Sequence, residues 1–262
     1  MYANRGEWMQ QSDTDTPVSN NSTLLVKIKN ISFTVVLIML SLGQWNDTKE
    51  AVVSVYEEVI SRFTNEIEYK RISKLRIGLT ERYTEQILGS PQVIKPSKLD
   101  DDLQYYYYNS DKFLLVTFIK NQRLNGFTVF SKKADFLAPI AYINKQLNTL
   151  DIKQYLPSQE SILTNVGSLE YFSESYELSR NLMFYNLLLG HVNYSNAPTA
   201  YSQTIIDVNH ELNSVEEFDF SSVTFSSPLI PNFYSITELS NEIMLESLLS
   251  NYEMSALFNN HY

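Results

Sequence analysis

Between Thr80 and Pro91 the chain spells out one short helix with both ends marked, and this constrains what the flanking sequence has to build. The Thr80 hydroxyl can accept from a backbone N–H that lacks an intrahelical partner, and Glu81 sets a carboxylate at the positive end of the helix dipole. Tyr83 and Ile87 lie one turn apart with Leu88 beside them; Gly89 can take the left-handed conformation that closes a helix, and Pro91 forbids continuation. A helix of about nine residues is not stable alone in water, so its apolar face needs a partner. The β-patterned run from Leu103 to Ser131 supplies one.

That run divides into three strand candidates, Leu103 to Tyr108, Phe113 to Ile119 and Arg123 to Ser131, with reversals at Asn109-Ser110-Asp111 and at Lys120 to Gln122 and a bulge at Gly126. A second helix is expected over Asp47 to Asn65, where Asp47 and Glu50 make a capping-box-like start and Val52, Tyr56, Val59 and Phe63 form an apolar stripe. Glu66 to Arg76 reads as a charged connector. The expected fold class is α+β: two helices packed on a three-stranded antiparallel meander, followed by a mixed α/β second half ending in a helix.

The order G-L-T-x-x-x-x-x-x-L-G-S-P followed by a tyrosine-rich strand, an apolar strand and a third strand resembles the SmpA/OmlA type of small α+β module, found in BamE-like outer-membrane assembly lipoproteins and β-lactamase-inhibitor-like proteins. The resemblance covers roughly Asp47 to Ser131, and its motif positions are Gly78, Thr80, Leu88, Gly89 and Pro91. The run W-N-D-T-K-E at Trp45 to Glu50 is also similar to a group of uncharacterised bacterial envelope proteins. The resemblance implies a fold and an envelope address. Those lipoproteins carry a lipid on a cysteine, and this chain has no cysteine, which excludes that anchor.

Residues 1–22 are polar and read as a disordered tail. From Asn30 to Asn46 there is no charge, and as a helix this segment would span about 25 Å. With Lys27 and Lys29 before it and Trp45 at its far end, residues 23–46 are expected to be a transmembrane helix or signal anchor. A signal cleaved after Ser41-Leu42-Gly43 and a buried core helix are the other readings. The lysine bias favours a single-pass protein of the bacterial inner membrane, its N-terminus cytoplasmic and its main domain, residues 47–131 with 132–262 packed on it, periplasmic.

In residues 132–262 a helix is expected from about Ala138, Leu182 to Tyr194 is an apolar run of either type, Thr204 to Val208 and Val223 to Phe225 look like short strands, and Ser235 to Leu257 carries a helical stripe. Nothing there repeats the Thr80 to Pro91 punctuation.

A formal charge of -10 leaves no general source of phosphate neutralisation, so nucleic acid is not an expected partner. No Walker, zincin, nucleophile-elbow or dinucleotide motif occurs, and no cofactor or metal is expected. Asp207, His210 and Glu211 would fall on opposite faces of a β-like segment; His191 reads as a hydrogen-bonded core residue; Asp100-Asp101-Asp102 reads as a solvated loop. The run Tyr105, Tyr106, Tyr107, Tyr108 must send two rings to each face of the sheet. If one face is uncovered, one pair forms an aromatic interaction surface; if both are covered, all four are core. The function expected is a membrane-anchored, non-enzymatic interaction module of the envelope with an unknown protein partner. The alternative is an enzyme with its active site in the second half.

Overall fold

The computed structural model describes residues 64–258 except 158, 196–198 and 215–222, together with residues 31–38, 49, 52, 53 and 55. Contacts divide the chain into two units, Met1–Arg62 and Phe63–Tyr262. In the first, residues 31–38 are helical. Among the described residues no helix is long and apolar enough to cross a membrane. This corrects the expected transmembrane helix and the inner-membrane, periplasm-facing address built on it: the described helix spans eight residues of the uncharged run, far fewer than a bilayer core requires. The remainder of that run and most of the expected helix over Asp47 to Asn65 lie outside the described residues.

The second unit is built on one eight-stranded sheet in the order β1-β2-β3-β4-β8-β7-β6-β5, with every neighbouring pair antiparallel. Its strands are β1 Val93–Pro96, β2 Leu103–Asn109, β3 Phe113–Lys120, β4 Arg123–Ser131, β5 Ser161–Val166, β6 Glu170–Glu177, β7 Asn186–Asn193 and β8 Phe233–Thr237. The helices are α1 Glu66–Lys74, α2 Glu81–Leu88, α3 Ser202–Ser214, α4 Asn241–Glu246 and α5 Asn251–Phe258. This mostly-β architecture replaces the expected α+β unit of two helices on three strands. The three expected strands are present as β2, β3 and β4, but they are one side of a larger sheet and not a complete layer.

Local chemistry explains each departure. β8 is drawn from the C-terminal region that carries a helical stripe, and it hydrogen-bonds β4 on one side and β7 on the other. All five of its residues are buried, so it shows no alternation by which a strand could be recognised. The expected helix after Ala138 does not form, because Tyr142 and Asn148 hold positive φ (66° and 61°) and Pro139 pairs with Gln146 in a β-bridge. Thr204 to Val208 lies within α3, where Ile205 and Val208 face the core one turn apart. The expected connector at Glu66 is α1, and Ile72 is its buried anchor.

At the opening landmark the Thr80 cap and the positive φ of Gly89 hold, although the glycine is extended in ψ and not left-handed helical. Thr80 caps α2, its hydroxyl accepting from the Tyr83 N–H at 3.3 Å. Gly89 sits at φ 87°, ψ −171°, with its N–H donating to the Glu85 carbonyl at 2.7 Å. Asn121 and Gln122, both at positive φ, form the β3–β4 reversal, and the ladder shifts register between Phe118 and Ile119, opposite Gly126 and Leu124.

Both faces of the sheet are covered, which is why its central strands read as continuous apolar runs. One face packs Phe127, Val129, Phe172, Leu187, Leu189 and Ile236 against α1, α3 and the segment from Phe136 to Tyr155. The other packs Val116, Phe118, Leu188 and Phe233 against Ile243, Met244, Leu248 and Met254 of α4 and α5.

Candidate functional site

The tyrosine run is the first candidate and the structure places it in the core. Tyr105 and Tyr107 are fully buried and Tyr106 and Tyr108 only 7% exposed, two rings per face. Tyr105 donates to the Ile243 carbonyl and to Glu246 Oε2 at 2.8 Å, and Tyr107 to the Ser247 carbonyl. Tyr106 donates to Glu81 Oε1 at 2.5 Å. Burial raises all four phenols above their ordinary value, Tyr108 to about 12. The hydroxyls of Tyr105, Tyr106 and Tyr107 fasten helices to the sheet, the buried Tyr108 hydroxyl makes no hydrogen bond, and no pair is presented as an aromatic surface. The motif positions Gly78, Thr80, Leu88, Gly89 and Pro91 likewise shape α2 and the turns flanking it.

Carboxylates gather where the loop after β1 meets α4 and α5, around a cleft of about 280 Å³. Glu246 accepts from the Ser97 hydroxyl, the Lys98 N–H at 2.6 Å and Tyr105; Glu253 accepts from Lys95 at 2.6 Å and from the Ser250 N–H and hydroxyl. Burial opposes ionisation of both, but these donors win and hold both carboxyls below their ordinary value. Carboxylates so fully engaged are fasteners, with little capacity left to take a substrate proton. Glu174, inside β6, is the opposite case. Burial raises its pKa, and the Tyr176 hydroxyl donates to it.

The remaining histidines separate clearly. Asp207, His210 and Glu211 are all exposed on helix α3, not on opposite faces of a strand, and among the described residues no group of three or more His, Cys, Asp or Glu side chains could hold a metal. His261 lies outside the described residues.

His191 lines a cleft of about 410 Å³ whose origin is topological. β8 has five residues and lies between the nine of β4 and the eight of β7, so the ladder runs out at its N-terminal end. Asn232 continues it with its side chain: Asn232 Oδ1 accepts from the Val192 N–H at 2.8 Å, and Nδ2 donates to the Val192 carbonyl at 2.9 Å. His191 on β7 and Lys132 just past β4 flank the opening. His191 Nδ1 lies 3.1 Å from the Ile230 carbonyl and is the donor in that bond, which leaves Nε2 unprotonated. Burial lowers its pKa, so the ring is neutral at neutral pH. Tyr201 stands edge-on to it, ring centres 4.9 Å apart, with its hydroxyl donating to the Pro228 carbonyl.

Among the described residues no carboxylate lines this cleft. Glu170, whose charge reaches His191, accepts instead from Ser202 at 2.7 Å and from Thr199. Sequence reasoning singled out His191 but missed Lys132, Lys133 and Tyr201. The Lys-Lys pair at a strand end was visible, but nothing in the sequence says that β8 stops short beside it.

No protein-family model matches the chain, and no curated protein does. Among solved structures it is similar to a cysteine-rich secretory protein from Staphylococcus aureus subsp. aureus Mu50, at 9% identity and a TM-score of 0.31, over 64% of this chain and 46% of that one. The chain thus spans less than half the length of that protein, and a likeness at this level carries no argument.

Proposed function

We propose that this chain is a non-enzymatic protein-interaction module whose partner adds a strand at the outer edge of β5. The observation that carries this reading is the contrast between the two ends of the sheet. β1, at one end, is four residues long, contains Lys95 and ends in Pro96, three devices that discourage further pairing. β5, at the other, is Ser-Ile-Leu-Thr-Asn-Val: six residues, uncharged, without proline, and paired with β6 alone among the described strands. Such an edge offers a row of backbone donors and acceptors to an extended segment.

The partner is a different protein, because a second copy would bring a second net charge of -10 against the first. A neutral or basic extended segment fits the edge better. Among the described residues neither cleft presents a free acid–base set, which supports a binding role over catalysis: the carboxylates of one are saturated, and no described carboxylate lines the other, Glu170 being held by Ser202 and Thr199.

The test is photo-crosslinking in cells, with benzoylphenylalanine at Val166 on β5 or at Ile94 on β1, both exposed. The expected result is one discrete heterologous adduct from position 166 that is absent from position 94 and absent when Ser161→Lys is added. Equal adducts from both edges, adducts only to a second copy, or none from position 166 would refute the reading.

A further inference from the structure

Helix α3 overhangs the open edge of the sheet. Two hydrogen bonds fix how it lies: Ser202 Oγ donates to Glu170 Oε1 at 2.7 Å, and two turns further on Thr164 Oγ1 donates to Asn209 Oδ1 at 3.1 Å. Glu170 is the cross-strand neighbour of Val166, so between Ser202 and Asn209 the helix runs over the stretch from Val166 to Thr164 of β5. The helical rotation separates its flanks. Ile205 and Val208 face the core, and Tyr201, one residue ahead of α3, stands against His191 of β7. Asn209 is turned towards β5, and Ile206 lies about 60° beyond it, on the flank directed away from β7. Val166 is on the same side of the strand, because Thr164, two residues before it, and Glu170, directly across from it, both bond to α3. Ile206 is 45% exposed and Val166 40%. Helix and strand thus each hold an open aliphatic side chain at one level, beside the vacant strand position.

A strand laid along β5 would sit about 4.8 Å from it and send alternate side chains to the α3 side. The residue opposite Val166 would have its Cβ about 5 Å from that of Val166 and would lie beneath Ile206. An aliphatic side chain there would cover both exposed residues at once, whereas a polar one would leave them wet. The charge on the helix adds a second preference: α3 carries Asp207 and Glu211, both exposed, and no lysine or arginine. We propose that α3 is the specificity element of the β5 edge, and that it selects a partner strand with a large aliphatic residue opposite Val166 and basic residues two positions to either side. This rests on the strand-addition reading and names what the added strand must carry.

Amide chemical-shift titration of the full chain tests this with two probes, the heptapeptide acetyl-Thr-Lys-Thr-Leu-Thr-Lys-Thr-amide and the same peptide with serine in place of leucine. The leucine peptide is expected to shift the amides of Ser161–Val166 and of Ile206, to leave those of Val93–Pro96 unmoved, and to bind at least about tenfold more tightly than the serine peptide. In Ile206→Gln, at an exposed side chain whose loss leaves the melting curve unchanged, that preference should fall to about threefold or less. Equal affinity of the two peptides at β5, or an undiminished preference in Ile206→Gln, would overturn the proposal and leave the strand-addition reading standing. Absence of β5 shifts with either peptide up to about 10 mM would overturn both.

Discussion

Gly89 shows how far a single residue can be read. Its φ of 87° with ψ near 180° lies in a region that is essentially closed to residues with a Cβ, and a Cβ built there would meet no atom within 4 Å. Gly89→Ala should therefore destabilise the protein by about 1–3 kcal/mol through backbone strain alone, seen as a lower urea midpoint with an unchanged slope. A variant as stable as the parent would mean that the chain leaves α2 by another route. This position was legible because glycine and proline state their backbone requirements locally. The tyrosine run was legible only in part: alternation assigns two rings to each face, but what covers each face comes from Ile243 and Ser247, far away in the chain, and from Glu81 in α2. His191 was likewise visible as a residue and invisible as part of a cleft, since Lys132 and Tyr201 reach it only through the order of the strands.

Among the elements, β8 holds the two sides of the sheet together. Phe233–Thr237 pairs with Phe130–Gly126 on one side and Gly190–Asn186 on the other. At its centre the Thr128 hydroxyl donates to Ser235 Oγ at 2.7 Å, and Thr128 Oγ1 lies 2.8 Å from Ser247 Oγ, tying strand to helix layer in the buried interior. Ser235→Pro removes a ladder donor from a strand paired on both sides and breaks this chain of hydroxyls, so a loss of about 3 kcal/mol or more is expected, read as a fall in the chemical-denaturation midpoint. By contrast, a loss below about 0.5 kcal/mol would mean that β8 does not bridge β4 and β7. Nothing in the sequence reveals this strand. Its residues are buried all along, so period-two patterning is absent, and Ile236, Leu239 and Ile243 fall at spacings of three and four that mimic a helix across a strand, a turn and α4. By contrast, β2, β3 and β4 announce themselves through β-branched and aromatic density and the turns between them.

On the scale of the whole molecule, the sheet is one continuous layer from β1 to β5, buried on both faces and finished differently at its two ends. Local patterning gave the β2–β4 meander but not its neighbours, because strand order is set by contacts between residues more than 100 positions apart, such as Thr128 with Ser235. The interaction reading rests on the end that is left open. Residue-resolved amide hydrogen exchange on the isolated chain tests that directly. In an antiparallel edge pair, alternate N–H groups point away from the neighbouring strand. Every second amide of Ser161–Val166 should exchange about a hundredfold faster or more than the amides of Phe172 to Tyr176 in β6, which has a strand on each side. Uniform protection of all six β5 amides, equal to that of β6, would mean that the edge is already covered and would contradict the account.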